Sequence, residues 1–309
     1  MNLGQYLKQT KQRLEKAGLF YGHGTDNSTD EAAWLLLTAL RQSQPELEHT
    51  KLEFDLQMPV SEPMAVKIEE LLQQRITQRL PMAYISTQAW FCDLEFYIDS
   101  SVLVPRSPIA ELIKEGFQPW VKLESGSRVL DLCTGSGCIA CAIAVYMPTL
   151  HLDASDISTA ALEVAEHNRS RHSLEDRLQL FQGDGFGAIK NKKYQLIVSN
   201  PPYVSAQEYS QLPAEYLAEP QLGLTSGTDG MDLVVKILAN ASDYLHDTGV
   251  LICEVGASQP ILEKLFPELD FLWLEFEHGG EGVFLLNREQ LLASQQVFTI
   301  ELNNRTGAR

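Results

Sequence analysis

The chain has 309 residues and a formal net charge of −17. A chain of this length is too long for a single small hydrophobic core, so we expect a large domain and a smaller one. A strongly acidic chain lacks the basic face on which proteins bind phosphates, which disfavours a general nucleic-acid binder. The charge favours a basic partner or a small ligand, although it also serves solubility.

The first segment of the chain has the pattern of an amphipathic helix. Leu3, Leu7 and Leu14 recur at helical spacing, and no apolar core of a signal peptide follows the first charges. The sequence also contains no apolar run long enough to cross a bilayer. We therefore expect a cytoplasmic protein without a membrane partner.

Further helices are predicted before residue 82. One follows Asp30, its expected N-cap, and the next follows Ser61, with Pro63 in the first turn. Residues 1–82 are therefore expected to form a small helical N-terminal domain.

Residues 83–105 alternate aromatic and β-branched side chains, which predicts short strands and a β-hairpin linker. Pro105 and Pro108 then end the extended structure.

From residue 106 to residue 309 the pattern becomes strand, helix, strand, helix. This alternation predicts an α/β fold with a mostly parallel, doubly wound sheet. The expected strands are RVLDLC, LHLDASD, RLQLFQGD, YQLIVSN and GVLICEVG. The segments FLWLEFEH and EGVFLLN are expected to add an antiparallel pair, and the tail after Gln290 a short helix with a frayed end.

The first strand of this domain runs into the glycine-rich turn DLCTGSGC, residues 131–138. Ligands of such sheets bind beyond the carboxyl ends of the strands, where glycines permit close approach. The turn satisfies the dinucleotide pattern, so NAD is one candidate cofactor. Asp131, Asp156 and Asp184 close successive strands, however, and such carboxylates suit the ribose and the positive charges of S-adenosylmethionine better than a pyrophosphate.

The motif Asn200-Pro201-Pro202-Tyr203 closes the fourth expected strand, beside this cofactor pocket. The Asn200 side-chain carbonyl and the Pro201 backbone carbonyl can each accept an N–H of a target amine. The two prolines fix the backbone, and Tyr203 offers a flat face to a planar group. The motif therefore predicts a slot for a conjugated NH2 group, in which positioning and electrostatics do most of the catalysis.

The cysteines allow a second interpretation. Cys133, Cys138 and Cys141 have the spacing of a plant-type iron–sulfur site, with Cys253 as a possible fourth ligand. The alternative is that Cys133 belongs to the turn and that Cys138 and Cys141 are small buried residues of the next helix. We favour the second interpretation and predict no metal site.

These motifs resemble those of the protein glutamine N5-methyltransferases, and the resemblance spans nearly the whole chain. It includes VLVPRSPIAELI, DLCTGSGCIA, SNPPYV, EPQLGLTSGTDG and ICEVG. The release-factor branch of this family carries Pro-Asp-Thr-Glu after the loop arginine, whereas this chain has Ser107-Pro108-Ile109 after Arg106. In this it is similar to the branch that methylates a glutamine of large-subunit ribosomal protein three.

The resemblance implies a class I methyltransferase (Rossmann-like) domain over residues 106–309, with S-adenosylmethionine as cofactor and S-adenosylhomocysteine as product. Asn200, Pro201 and Tyr203 would be catalytic, and Pro202 and Arg106 would join them in binding substrate. The cofactor residues would be Asp131, Cys133, Thr134, Gly135, Ser136, Gly137, Asp156, Ile157, Asp184, Gly185 and Asn200.

Further expectations concern the edges of the site. Gly185 offers no side chain to stack on adenine, and Phe186 is the expected substitute. Glu219 and Pro220 lie in a long insertion that could cover the substrate.

The partner implied by the resemblance is a basic ribosomal protein, free or in an assembly precursor. The N-terminal domain would select it, and the acidic chain would steer it. No sequence-specific binding of nucleic acid is expected.

Other readings of the sequence remain open. A release-factor glutamine methyltransferase would use the same chemistry, and a nucleic-acid adenine N6-methyltransferase would use a similar slot. A ribosome assembly factor that binds without chemistry could be an additional role.

Overall fold

The computed structural model describes residues 1–45 and 55–307. The helical prediction for residues 46–54 and the predicted frayed end at residues 308–309 lie outside the described residues. Contacts within the chain define two compact units. The helical unit comprises residues 1–89, 98–100 and 212–218, and the sheet unit comprises residues 90–97, 101–211 and 219–309.

The helical unit packs short amphipathic helices around a leucine-rich core. Its helices are α1 (Leu3–Lys16), α2 (Ser28–Ser43), α3 (Glu62–Thr77) and α4 (Met82–Ser86). The buried side chains of this core include Leu14, Leu35, Leu36, Ile68 and Leu71. Ser61 caps α3 as predicted, and Pro63 lies in its first turn.

The predicted N-cap of α2 is wrong. The helix begins at Ser28, and Asn27 is its N-cap, because the Asn27 side-chain oxygen accepts hydrogen bonds from the N–H groups of Thr29 (2.9 Å) and Asp30 (3.0 Å). Asp30 instead lies in the first turn, where its charge favours the positive end of the helix dipole.

A buried ion-pair network holds residues 212–218 in the helical unit. Arg75 Nε donates to Glu31 Oε1 (2.6 Å), and Arg75 Nη1 donates to Glu215 Oε1 (3.2 Å). All three side chains are almost fully buried. Since a buried charge needs a partner, Glu215 ties this segment to α2 and α3.

The predicted hairpin is shorter than expected. It consists of β1 (Gln88–Phe91) and β2 (Leu94–Tyr97), joined at Cys92 and Asp93, which both have positive φ. The prediction of strands from residue 83 is wrong, since α4 covers that stretch. Its side chains are buried one after another, which a strand with one buried face does not allow.

The sheet unit has the predicted α/β architecture. In the part of the chain that the structure describes, seven strands form one sheet in the order β5-β4-β3-β6-β7-β9-β8. The strands are β3 (Arg128–Leu132), β4 (His151–Asp156), β5 (Leu178–Gln182), β6 (Tyr194–Ser199), β7 (Leu245–Glu254), β8 (Leu272–Trp273) and β9 (Val283–Asn287). Strands β3 to β7 pair in parallel, and β8 and β9 are antiparallel, as expected.

Helices cover both faces of this sheet. The α-helices of the described part of this unit are α5 (Ile109–Lys114), α6 (Cys138–Tyr146), α7 (Thr159–Arg171), α8 (Ala206–Tyr209), α9 (Gln221–Leu224), α10 (Asp232–Tyr244), α11 (Gln259–Leu265), α12 (Arg288–Ala293) and α13 (Gln295–Gly307). Val129 of β3 packs in a core with α6, whereas its neighbour Leu130 packs in a second core with α10. The strands are therefore buried on both faces, which explains their continuous apolar runs.

The C-terminal tail is more ordered than its composition suggests. The sequence predicted a short helix and a frayed end, but α13 continues to Gly307. Phe298 of this helix is fully buried against Phe266, and Arg305 pairs with Asp229, Asp232 and Glu301. Tertiary contacts thus fold a segment whose hydrophobic pattern is weak.

Across residues 1–45 and 55–307, every helix is too short or too polar to span a lipid bilayer.

Candidate active site

The register of the sheet brings the ends of four strands to one edge. Leu132 of β3 pairs with Ser155 of β4 and with Ser199 of β6, and Ser199 pairs with Cys253 of β7. The residues that follow these positions are Cys133, Asp156, Asn200 and Glu254. Because parallel strands share a direction, these residues lie along one carboxyl edge, where ligands of such sheets bind.

The glycine-rich turn after β3 is fastened to the end of β4. The N–H of Thr134 donates to the Ser155 carbonyl (3.0 Å), and the N–H of Gly135 donates to Asp156 Oδ2 (2.9 Å). Gly137 has a φ of +76°, and a Cβ there would lie 3.1 Å from Ala165 Cβ. Glycine at this position therefore allows α7 to approach the turn closely.

Asp131 is fully buried beneath this turn. Its Oδ2 accepts hydrogen bonds from the Thr134 hydroxyl (2.6 Å) and the Ala140 N–H (3.2 Å). Its Oδ1 has no hydrogen-bond partner among the described residues. Burial raises the pKa of Asp131 to about 7. A buried carboxylate oxygen without a partner suits a cationic ligand group, such as an ammonium.

Asp156 stands at the end of β4, as predicted. Its Oδ1 accepts a hydrogen bond from the Ser158 N–H (2.9 Å), and burial raises the pKa of this carboxyl. Each carboxylate oxygen can accept more than one hydrogen bond, so both can still bind ribose hydroxyls. The next residue, Ile157, is half exposed and offers apolar surface beside this carboxylate.

Of the residues that follow β5, Asp184 is exposed to solvent, whereas Phe186 is buried. Asp184 forms a salt bridge with Lys236 (2.6 Å), and Gly185 follows with a φ of +57°. Phe186 stacks on Tyr244 with ring centroids 4.4 Å apart and is only 6% exposed. The expectation that Phe186 replaces a stacking residue is therefore wrong, since its ring belongs to the core around α10.

The motif Asn200 to Tyr203 follows β6 directly and is held by several contacts. The Tyr203 hydroxyl donates to Glu254 Oε1 (3.2 Å), and the Tyr203 carbonyl accepts a hydrogen bond from Ser258 Oγ (2.9 Å). A Cβ on Gly256 would lie 2.9 Å from the Tyr203 ring, so only glycine leaves room for the ring. Both the backbone and the ring of Tyr203 are therefore fixed.

Glu254 is a residue of this edge that the sequence analysis did not identify. It ends β7 and is 4% exposed. Its Oε2 accepts a short hydrogen bond from Ser107 Oγ (2.5 Å), and the nearby Asn200 side chain lowers the pKa of this carboxyl. Burial raises the pKa of Glu254 to about 7, against the lowering effect of these bonds and of the Arg106 charge. The available signal was an acidic residue at the end of the apolar strand ICEVG.

Arg106 lies in the loop before the sheet and binds the insertion that follows the slot. Its Nη1 and Nη2 donate to the two carboxylate oxygens of Glu219, at 2.6 and 2.5 Å. Glu219 is buried and also accepts a hydrogen bond from the Val104 N–H (2.9 Å). Arg106 therefore binds Glu219 in this structure, and it shapes the site by joining these two loops.

The four cysteines of the iron–sulfur interpretation are buried or half-buried. Burial raises the pKa of Cys138 to about 12 and raises those of Cys133, Cys141 and Cys253 further. Within the described residues, no group of three or more His, Cys, Asp or Glu side chains is placed to hold a metal ion.

Residues 117–227 match the family model described as methyltransferase small domain. The crystal structure of the hMettl16 catalytic domain in complex with a 3′UTR hairpin is similar to this chain with a TM-score of 0.50 and 15% sequence identity. The match covers 80% of this chain and 89% of the hMettl16 chain, which supports a shared fold. The fold is therefore that of the class I methyltransferases.

The cofactor of this fold, S-adenosylmethionine, fits the residues at the carboxyl edge. The unpartnered Oδ1 of Asp131 suits its ammonium group, and Asp156 suits its ribose. A Cβ added to Gly135 would have no atom within 4 Å, so there is open space beside the turn for a ligand.

Curated relatives identify the family. The ribosomal protein uL3 glutamine methyltransferase of Xanthomonas campestris is 45% identical over 286 residues, which are 91% of this chain and 89% of the relative. The protein of the same description from Neisseria gonorrhoeae is 43% identical over 295 residues, which are 94% of this chain and 95% of the relative. With such identity over nearly the full length, this chain belongs to the family of ribosomal protein uL3 glutamine methyltransferases.

Proposed function

We propose that this protein transfers a methyl group from S-adenosylmethionine to the side-chain amide nitrogen of a glutamine in ribosomal protein uL3. The observation that carries the proposal is the Asn200–Tyr203 motif at the carboxyl end of β6, adjacent in the sheet to the glycine-rich turn after β3. The descriptions of the relatives support the substrate. The reaction takes place in the cytoplasm, where a basic ribosomal protein is made.

The chemistry requires a weak nucleophile to be held in one geometry. An amide nitrogen shares its lone pair with the carbonyl, so it attacks only when that conjugation is reduced. In the proposed complex the Asn200 side-chain oxygen accepts one N–H and the Pro201 carbonyl accepts the other. Pro202 and Tyr203 fix the plane of the target, so positioning supplies much of the rate enhancement.

The cofactor residues hold the methyl donor opposite this slot. Asp131 and the turn from Cys133 to Gly137 would hold its amino-acid part, and Asp156 with Ile157 would hold its ribose and adenine. When bound, S-adenosylmethionine supplies a methyl group on a positively charged sulfur. Methyl transfer would convert the glutamine NH2 group to NHCH3, leave S-adenosylhomocysteine and release one amide proton to solvent.

Replacement of Asn200 by Ala tests the proposal. The variant removes one acceptor for the target N–H, and we expect kcat to fall by about 100-fold or more, while binding of S-adenosylmethionine changes less. Asn240→Ala is the matched control, since Asn240 lies in α10 and donates to the Lys236 carbonyl. Methyl transfer to uL3 is measured with a labelled methyl group.

A near-normal rate for Asn200→Ala would contradict the proposed slot. A role in ribosome assembly that needs no chemistry is distinguished by growth. Such a role would survive in cells that carry the inactive Asn200→Ala enzyme.

A further inference from the structure

Glu254 is a buried carboxylate beside the Asn200–Tyr203 motif, and the proposed transfer does not use it directly. Glu254 ends β7, beside the strand that carries Asn200. It accepts hydrogen bonds from Ser107 Oγ (2.5 Å) and from the Tyr203 hydroxyl (3.2 Å), and the Asn200 side chain is near enough to lower the pKa of its carboxyl. Burying a carboxylate is costly, so a site that retains one needs these donors.

We propose that Glu254 is a positioning residue, which fixes the orientation of the Asn200 amide and the Tyr203 ring, and that Ser107 fixes Glu254 in turn. This inference rests on the proposed function, in which Asn200 and Tyr203 hold the target glutamine. The residues of the network all belong to the sheet unit.

The orientation of Asn200 follows from hydrogen-bond chemistry. An ionised carboxylate only accepts hydrogen bonds, so an Asn200 amide that pairs with Glu254 directs its NH2 group to it. The amide oxygen of Asn200 is then left for another partner, and this is the oxygen that the target N–H needs. Without Glu254 the Asn200 amide could rotate by 180° about its Cβ–Cγ bond, so that its NH2 group would face the N–H of the target glutamine.

The ionised form of Glu254 is the competent one. Its two hydrogen-bond partners, Ser107 and Tyr203, are hydroxyl donors, and with the nearby Asn200 amide they match a group that only accepts. Among charged groups, Arg106 acts on Glu254, and it favours the ionised form. Because burial raises the pKa of Glu254 to about 7, the network loses its order when the pH falls below neutrality.

Ser107 connects this network to the loop before the sheet. Its Oγ donates to Glu254 and also accepts a hydrogen bond from the Ile109 N–H (3.3 Å). The preceding residue, Arg106, holds Glu219 of the insertion. The Ser107 hydroxyl therefore connects this loop to the slot.

The test compares Glu254→Gln and Ser107→Ala with two controls. Asp153→Asn alters another buried carboxylate, which accepts from Tyr194 and Lys192 within the sheet. Ser242→Ala removes another buried hydroxyl, which donates to Gln295. The kinetic constants for uL3 and S-adenosylmethionine are measured from pH 6 to pH 9, and the side-chain NH2 signals of Asn200 are followed by NMR in the cofactor-free enzyme.

We expect Glu254→Gln to lower kcat by about 10–100-fold with a small change in KM for S-adenosylmethionine. With S-adenosylmethionine saturating, so that its ammonium group keeps Asp131 ionised, the fall of kcat below about pH 7 should disappear in this variant, and Ser107→Ala should lower kcat by a smaller factor. Hydrogen exchange of the Asn200 NH2 group should quicken in both. Asp153→Asn and Ser242→Ala should lower the melting temperature only.

Several results would overturn the inference. They are an unchanged kcat and pH profile in Glu254→Gln, equal losses in Asp153→Asn, or unchanged exchange of the Asn200 NH2 group. If Glu254→Gln does not fold, Ser107→Ala decides by the same readouts. If the wild-type enzyme does not methylate uL3, the proposed function fails, and NMR exchange still decides whether Glu254 orients Asn200.

Discussion

At the scale of single residues, Asp131 and Glu254 are two buried carboxyl groups at the carboxyl edge of the sheet. Burial raises the pKa of each to about 7. A carboxyl group with a raised pKa favours the folded state while it is protonated. Its contribution is complete below the pKa of the unfolded chain and is lost as the pH rises through the folded value.

Asp131→Asn should therefore flatten the pH dependence of stability. In the wild type, ionisation of Asp131 should lower the free energy of unfolding by roughly 2–3 kcal/mol between pH 5 and pH 8. The amide of the variant has no charge to bury, so this loss should be absent. Urea unfolding of the cofactor-free protein at both pH values measures this. Asp176→Asn at an exposed site is the control, and an unchanged slope in Asp131→Asn would contradict the prediction.

Residue patterns predicted one part of the site and missed another. Asn200-Pro-Pro-Tyr could be predicted because it ends a strand of a domain that begins with a glycine-rich turn; two prolines after a strand would otherwise indicate a simple turn. Glu254 is a single acidic residue in ICEVG, and its partners Ser107 and Tyr203 lie far away along the chain. Its importance depends on strand order, which local sequence does not encode.

At the scale of elements, α13 shows what tertiary contacts add. The helix has a polar composition, yet Phe298 is fully buried and Arg305 binds three acidic side chains. The opposite error occurred at α4, where aromatic and β-branched residues suggested a strand. Propensity was overridden in both places by burial against neighbouring elements.

Phe298→Ala should destabilise the sheet unit by about 3–5 kcal/mol, because it removes a large buried side chain and leaves a cavity. The neighbouring Val297 is half exposed, so Val297→Ala should change stability by only about 0.5 kcal/mol. Thermal unfolding of both variants measures the difference. Equal effects would show that α13 is not packed as described.

At the scale of the whole molecule, the chain carries a large net negative charge. Its curated relatives are described as glutamine methyltransferases of ribosomal protein uL3. The role of the helical unit in selecting that substrate remains a prediction. The insertion after the slot contributes residues 212–218 to the helical unit and returns to the sheet unit at Glu219. This division was not legible in the sequence, because Glu215 meets Arg75 only in the folded chain.

The net charge of −17 predicts a salt-dependent association with a basic substrate. We expect kcat/KM for uL3 to fall several-fold between roughly 50 and 300 mM salt, because ions screen the long-range attraction. KM for S-adenosylmethionine, a small ligand held by local contacts, serves as the internal control and should change little. A salt-independent kcat/KM for uL3 would contradict electrostatic steering.

The most direct test of the central claim is a methyl-transfer assay with S-adenosylmethionine that carries a labelled methyl group. Unmethylated uL3, a release factor, DNA and RNA are offered in separate reactions, and the modified residue is located by mass spectrometry. We predict label on the side-chain nitrogen of a glutamine in uL3 alone. Label on the release factor or on nucleic acid, with uL3 unmodified, would contradict the assignment.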